Sequence, residues 1–303
     1  MKILLATDGS DCADAALDFL LRFPFPDNST VILLTVIDER VFVDAESVEL
    51  TPAQSDELHA VRNTVREEAQ AFLDAAAQRI GESGWAVTVQ LRSGDVTEKI
   101  IVAAEESRVD LVIVGSHGLT PVERFLLGGV SSQVLMYAPC SVLIVKPPAA
   151  GHPLPGTGEK PWRVLLAYDH SAPACNALEW CASLAWGDGD AVEIVTVLTL
   201  VTGFRQDIRQ QMSPVWQQQK IAARAVLDNA VVKLRGSLPG VTSQLREGAS
   251  SSDEIIEAAA AAGSNLVVLG SKGKSALQRF LRGSMTGNVA RHAPCPVLVV
   301  RED

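Results

Sequence analysis

Apolar residues in this chain fall in short unbroken runs more often than in alternation. Leu111 to Val114, Val142 to Val145, Leu266 to Leu269 and Val297 to Val300 contain no polar residue. Runs of this length predict strands covered on both faces, the setting of a parallel sheet flanked by helices. A second pattern has helical spacing. Leu58, Val61, Val65, Ala69, Phe72, Ala76 and Ile80 form one apolar stripe with a charged back, predicting a long helix over 54–82. Reading on in this way predicts strands near 2–7, 30–37, 86–92, 110–115 and 141–145. A second set is predicted near 163–168, 191–198, 241–247, 265–270 and 296–300. Short helices are predicted at 128–137 and 283–292. Segments 38–53 and 199–213 show no clean period. They could be lids over the strand ends, but ordinary surface loops are the better reading.

The two sets of strands belong to a repeat. Residues 115–145 read GSHGLTPVERFLLGGVSSQVLMYAPCSVLIV, and residues 270–300 read GSKGKSALQRFLRGSMTGNVARHAPCPVLVV. The opening strands answer each other as well, KILLATDGS from Lys2 and RVLLAYDHS from Arg163. The stretch from Lys146 to Pro161 is rich in proline and glycine, so it reads as a linker. The expectation is two domains, 1–147 and 162–303, joined through 148–161. Alternating strands and helices make each an α/β domain, a doubly wound five-stranded parallel sheet with right-handed crossovers. Such sheets bind ligands beyond the carboxyl ends of their strands, where the strand order reverses.

Composition narrows the partners. An apolar content of 47% with 20% charged residues is that of a globular protein. A formal net charge of −10 argues against nucleic acid and against anionic membranes. No run reaches transmembrane length, and Asp8 interrupts the first apolar run too early for a signal-peptide core. The five cysteines have no metal-ligand spacing, and Cys140 and Cys295 occupy matching, structural positions in the repeat. The expected compartment is the cytoplasm.

The repeated glycines carry the chemistry. A helix start leaves backbone N–H groups unpaired and carries partial positive charge, which stabilises an anion. Gly128 and Gly129, with Val130 and Ser131, open such a helix in one copy. Gly283, Ser284, Met285 and Thr286 open it in the other. Glycine marks turns anyway, and Ser284 could simply cap its helix. Two loops of identical spacing after buried strands weigh against that plainer account. Other nucleotide motifs are missing. A Walker loop ending at Gly273-Lys274-Ser275 needs glycine where Val268 stands, and neither copy has GxGxxG after its first strand. Asp8 and Asp169 end the first strands on the same rim. Each can accept hydrogen bonds from a ribose or base, or help hold a metal. Asp-x-Ser is also a capping sequence, with Ser10 and Ser171 as caps.

Taken together, Gly-x2-Gly-x9-Gly-[Ser/Thr], the early Asp-Gly-Ser and the late Ala-Pro-Cys-Pro-Val-Leu-Val-Val resemble the universal stress protein (UspA) family, as a tandem two-domain member. The resemblance implies an adenine nucleotide alpha hydrolase-like, Rossmann-like fold that binds ATP, with or without magnesium. In the second copy it assigns Gly270, Gly273, Gly283 and Ser284 to the phosphates, with Asp169 and Val197 by the adenosine. Ala167, Tyr168, Lys272, Met285 and Thr286 complete that set. In the first copy the phosphate residues are Gly115, Gly118 and Gly128, with Asp8 and Val36 by the adenosine. Ala6, Thr7, His117, Gly129, Val130 and Ser131 complete it. Three departures stand out. Gly129 replaces the family's hydroxyl residue, a loss of roughly 1.5–3 kcal/mol for a hydrogen bond to a charged group. Tyr168 and His170 stand where the first copy has Thr7 and Gly9.

The implied role is a nucleotide-dependent regulatory module in a stress response. Slow ATP hydrolysis, with His117 or Lys272 near the terminal phosphate, is an alternative. A scaffold with vestigial pockets is another. The resemblance also implies that the two domains pair as an internal pseudo-dimer, and it leaves open whether whole chains form a homodimer.

Overall fold

The computed structural model describes residues 1–39, 51–118, 127–147, 161–199, 206–271 and 285–301. The chain forms two compact units, one on the first five strands and one on the last five. In the first, β1 (Lys2–Ala6), β2 (Thr30–Asp38), β3 (Ala86–Gly94), β4 (Leu111–Gly115) and β5 (Ser141–Val145) make a parallel sheet in the order β3-β2-β1-β4-β5. Among the described residues, the helices between them are α1 (Asp11–Arg22), α2 (Pro52–Glu82), α3 (Val96–Ser107) and α4 (Gly129–Tyr137). The predicted apolar runs are its core. Ile3, Leu4, Leu5, Leu111, Val112 and Ile113 have no exposed surface. Burying a side chain of this size stabilises by about 1.5–3 kcal/mol.

The second unit repeats the pattern. Its strands are β6 (Arg163–Ala167), β7 (Ala191–Thr199), β8 (Gly240–Gly248), β9 (Leu266–Gly270) and β10 (Val297–Val300), in the order β8-β7-β6-β9-β10. The helices are α5 (Ala172–Ala182), α6 (Gln206–Arg235), α7 (Ser251–Ala261) and α8 (Met285–His292). In each unit the order reverses between the first and fourth strands, so their carboxyl ends flank the crevice where such sheets take ligands. Because the strands are parallel, the helix that follows each one starts on that same rim.

Helix boundaries differ from the sequence expectation in informative places. α2 begins at Pro52, ahead of residue 54. Thr51 Oγ1 accepts the Gln54 N–H, the Gln54 side-chain oxygen accepts the Thr51 N–H in return, and proline stands in the first turn. This is a capping box, which satisfies two terminal donors reciprocally. α6 starts at Gln206 and runs through residues expected to be irregular, with Pro214 inside it. The remaining unpatterned residues, 40–50 and 200–205, lie outside the described set, so the lid reading is not addressed there.

The glycines ending β4 and β9 have a packing role. A Cβ built on Gly115 would lie 2.9 Å from the Cys12 carbonyl carbon. At Gly270 it would lie 2.5 Å from the Pro173 carbonyl oxygen and 2.6 Å from the Ala174 nitrogen. Both strands therefore press directly on the first turn of a helix, α1 or α5. At Gly129 a Cβ would meet nothing within 4 Å. Gly270→Ala should accordingly destabilise the protein by about 1–3 kcal/mol through overpacking against backbone. Gly129→Ala should leave stability nearly unchanged. Urea denaturation midpoints of the two variants check the contrast.

Candidate functional site

The site in the first unit is held by two strand ends. Thr7 donates its backbone N–H to the Leu34 carbonyl, and the buried Thr35 hydroxyl donates to the Thr7 carbonyl at 2.8 Å. These bonds fix the turn that carries Asp8. The Asp8 carboxylate accepts the Ser10 N–H at 3.1 Å, and Ser10 Oγ accepts Ala13 N–H at 3.3 Å, so both early polar residues help to cap α1. Gly9 between them has φ +74°, a left-handed conformation that favours glycine.

From the other side come the glycine loop and α4. Ser116 donates its N–H to Val145, and Gly128 donates its own back to the Ser116 carbonyl at 2.9 Å. The start of α4 is thereby brought against the end of β4. Gly128 supplies no side-chain cap, and the helix's first backbone bond runs from Ser132 N–H to the Gly128 carbonyl. The N–H groups of Gly129, Val130 and Ser131 thus have no acceptor within the helix, the condition that suits an anion. Ser131 Oγ donates to the carbonyls of Ser116 and Gly128, at 2.9 and 3.1 Å, so this hydroxyl serves the loop itself.

These pieces enclose a cavity of about 860 Å³. Every residue proposed from sequence for the first copy lines it: Ala6, Thr7, Asp8, Val36, Gly115, His117, Gly118, Gly128, Gly129, Val130 and Ser131. Asp8 lies under the glycine loop, since a Cβ on Gly118 would fall 2.6 Å from Asp8 Oδ2. The carboxylate thus stands between the two ends that the resemblance had separated. The sequence reading missed the outer wall, made by Val65, Ala69 and Phe72 of α2 with Val96 and Ile100 of α3. In the sequence the α2 residues are visible only as part of the apolar stripe of a long helix. Asp38 and Glu68 add carboxylates to the same lining.

Among the described residues of this lining His117 is the one imidazole. Its Nδ1 lies 3.0 Å from Ser116 Oγ, while Nε2 is buried and has no hydrogen-bond partner among the described residues. Burial lowers its pKa below the ordinary histidine value, and the nearby Lys146 ammonium lowers it further.

The second unit repeats the strand-end device with altered residues. Tyr168 donates its N–H to the Val195 carbonyl, and Thr196 Oγ donates to the Tyr168 carbonyl at 2.5 Å. Asp169 accepts the Ser171 N–H at 3.0 Å, and Ser171 caps α5. Tyr168 is 6% exposed, its hydroxyl 3.5 Å from Cys175 Sγ in the first turn of α5. Burial first, then that contact and the Asp169 carboxylate, raise its pKa and keep the phenol protonated. Ala167 and Val197 end β6 and approach the end of β7, and Gly270 ends β9. Met285 and the buried Thr286 open α8. Lys272, Gly273, Gly283 and Ser284 lie outside the described residues.

The model of the Universal stress protein family matches residues 1–146 and, a second time, residues 162–301. The chain belongs to the universal stress protein family. As a tandem universal stress protein it is similar to one from Mycolicibacterium smegmatis, 28% identical over 302 residues and covering 99% of this chain and 96% of that one. A single-domain relative, universal stress protein YxiE of Bacillus subtilis, is 29% identical over 145 residues, 48% of this chain and 98% of YxiE. Among solved structures, a universal stress protein from Archaeoglobus fulgidus shares the fold, with a TM-score of 0.64 at 23% identity. That match covers 99% of this chain and 96% of the other. Among the described residues no helix is long and apolar enough to cross a membrane.

His170 occupies the position of Gly9 and keeps its left-handed backbone, with φ +62°. A residue with a Cβ pays about 1–2 kcal/mol there. His170→Gly should therefore raise the unfolding free energy by about 1 kcal/mol less the entropy that glycine adds to the unfolded chain. A urea midpoint that shifts upward is the expected result.

Proposed function

We propose that the first unit binds an adenine nucleotide, ATP, as the regulatory ligand of a tandem universal stress protein. One observation carries the reading. The glycine loop, the uncapped start of α4 and Asp8 converge on a single cavity whose volume suits a ligand of this size. The N–H groups of Gly129, Val130 and Ser131 would receive phosphate oxygens. Gly118 and Gly128 would let the chain approach them without side-chain obstruction. Asp8 would accept hydrogen bonds from the ribose, the Val36 backbone would face the base, and Phe72, Ala69 and Val65 would form an apolar wall beside it. Magnesium, where it accompanies ATP, would offset the charge between the phosphates and Asp8. The second unit would bind with a different affinity, because Tyr168 places a large ring where the first unit has Thr7.

Nucleotide released by acid from gently purified protein and quantified by chromatography tests the reading. ATP at about one or two equivalents per chain is expected from the two glycine loops of the repeat. Its absence, together with no uptake of added ATP and magnesium, would overturn the proposal. Gly129 gives a sharper check. The space beside it accepts a side chain, so Gly129→Ser should add a hydroxyl donor at the anion end and tighten binding about tenfold or more. Equilibrium dialysis with labelled ATP measures the change.

A further inference from the structure

Among the described residues that line the first unit's cavity, Phe72 carries the one benzene ring. It is partly buried and packs against Ile37 of β2 and Ala69 of its own helix. It also reaches the end of β1. A Cβ built on Gly9 would lie 3.6 Å from Phe72 Cδ1 and Cε1 and 3.8 Å from Cγ. The ring therefore bridges the carboxyl ends of β1 and β2, beside the turn that carries Asp8, and the residue keeps part of its surface in the cavity. The second unit treats this place differently. Its buried helical residues Leu227, Ala230 and Leu234 repeat the spacing of Leu73, Ala76 and Ile80, which puts Val226 where Phe72 stands. His170 stands there in place of Gly9. Ring and glycine are thus present together in one unit and replaced together in the other, the pattern expected of a bare turn that seats a ring. Tyr168 is 6% exposed and turned to Cys175, so it offers little surface in exchange.

Resting on the nucleotide reading, we propose that Phe72 is a specificity-determining residue: its ring stacks on the base, so that the first unit selects nucleotides against bare polyphosphates. The charges of the lining make the base decisive. Asp8 at the end of β1, Asp38 of β2 and Glu68 of α2 bring carboxylates to it, and among its described residues there is no lysine or arginine. A polyphosphate entering alone meets those carboxylates, with the open amides of α4 as the opposing attraction. A nucleotide brings in addition a flat surface that can lie on an aromatic ring. Every base has such a face, and stacking on it contributes without reading a hydrogen-bonding edge. Leucine or valine in the same place would keep the wall apolar and lose the stacking. The first unit therefore recognises its ligand at two points, the anion through backbone and the base through a ring. The second unit has no ring at this place on its helix.

Equilibrium dialysis of the full chain against ATP and against inorganic tripolyphosphate, each with magnesium, tests the inference. Phe72→Leu should weaken ATP at one site per chain by about two- to tenfold, the amount by which an aromatic pair exceeds plain apolar contact. Binding of tripolyphosphate should stay unchanged. Phe72→Tyr, which keeps the ring, should hold ATP as the wild type does. A ring that merely filled the wall would give no such contrast between the two ligands. Phe72→Met is the second variant should leucine compromise folding, which a urea midpoint reports. Three results overturn the inference and leave the nucleotide reading standing: unchanged ATP affinity in Phe72→Leu, an equal loss for tripolyphosphate, or a tyrosine variant no better than leucine. Wild type that takes up no ATP overturns both.

Discussion

Both units depend on one steric constraint: the end of the fourth strand touches the backbone of the first turn of the first helix. Gly115 against Cys12, and Gly270 against Pro173 and Ala174, leave no room for a methyl group. The contact sets the distance between the two strand ends that bracket the crevice. With that distance fixed, the turn bearing Asp8 comes to lie beside Gly118 in the segment that follows β4. The threonine hydroxyls of Thr35 and Thr196 complete the arrangement by tying the first strand end to the second. The motif's first glycine is thus a packing device as well as part of the first unit's cavity lining.

The sheet was legible because parallel strands buried on both faces must be continuously apolar, and little else in a soluble chain looks like Leu111–Val114 or Leu266–Leu269. The cavity's inner wall was legible for a different reason. Duplication isolates residues that matter at a rim, and it singled out Asp8, Gly115, Gly118 and Gly128 from one sequence. The outer wall was hidden, because Val65, Ala69 and Phe72 share the helical spacing of residues that only fill a core. Periodicity reports which face of a helix is apolar and says nothing of how far along it the sheet extends. The start of α2 could have been read from Thr51 and Gln54, a capping box four letters long. α6 was harder, since Pro214 inside a helix runs against local preference and is tolerated only with support from elsewhere in the fold.

The two units also show how duplicated sites drift. Thr7 and Tyr168 make the same backbone bonds, so the strand end survives the change while its side chain is turned to Cys175. Gly9 and His170 share one backbone conformation, so the geometry of the turn outlasted the residue best suited to it. In both cases the main chain is retained and the surface it offers a ligand is rewritten.

A last consequence concerns the field around the molecule. With every strand parallel, the helix starts of each unit gather on one rim, and their partial positive charges add there. The chain as a whole carries a net charge of −10. At 0.1 M salt a polyanion in solution would be largely screened from that charge beyond about 10 Å, would meet repulsion from the acidic surface within that distance, and would meet attraction only inside the rim. Capture of an anion would then be a short-range event decided by local dipoles, and added salt would speed the approach by masking the acidic surface while leaving the enclosed amides little changed.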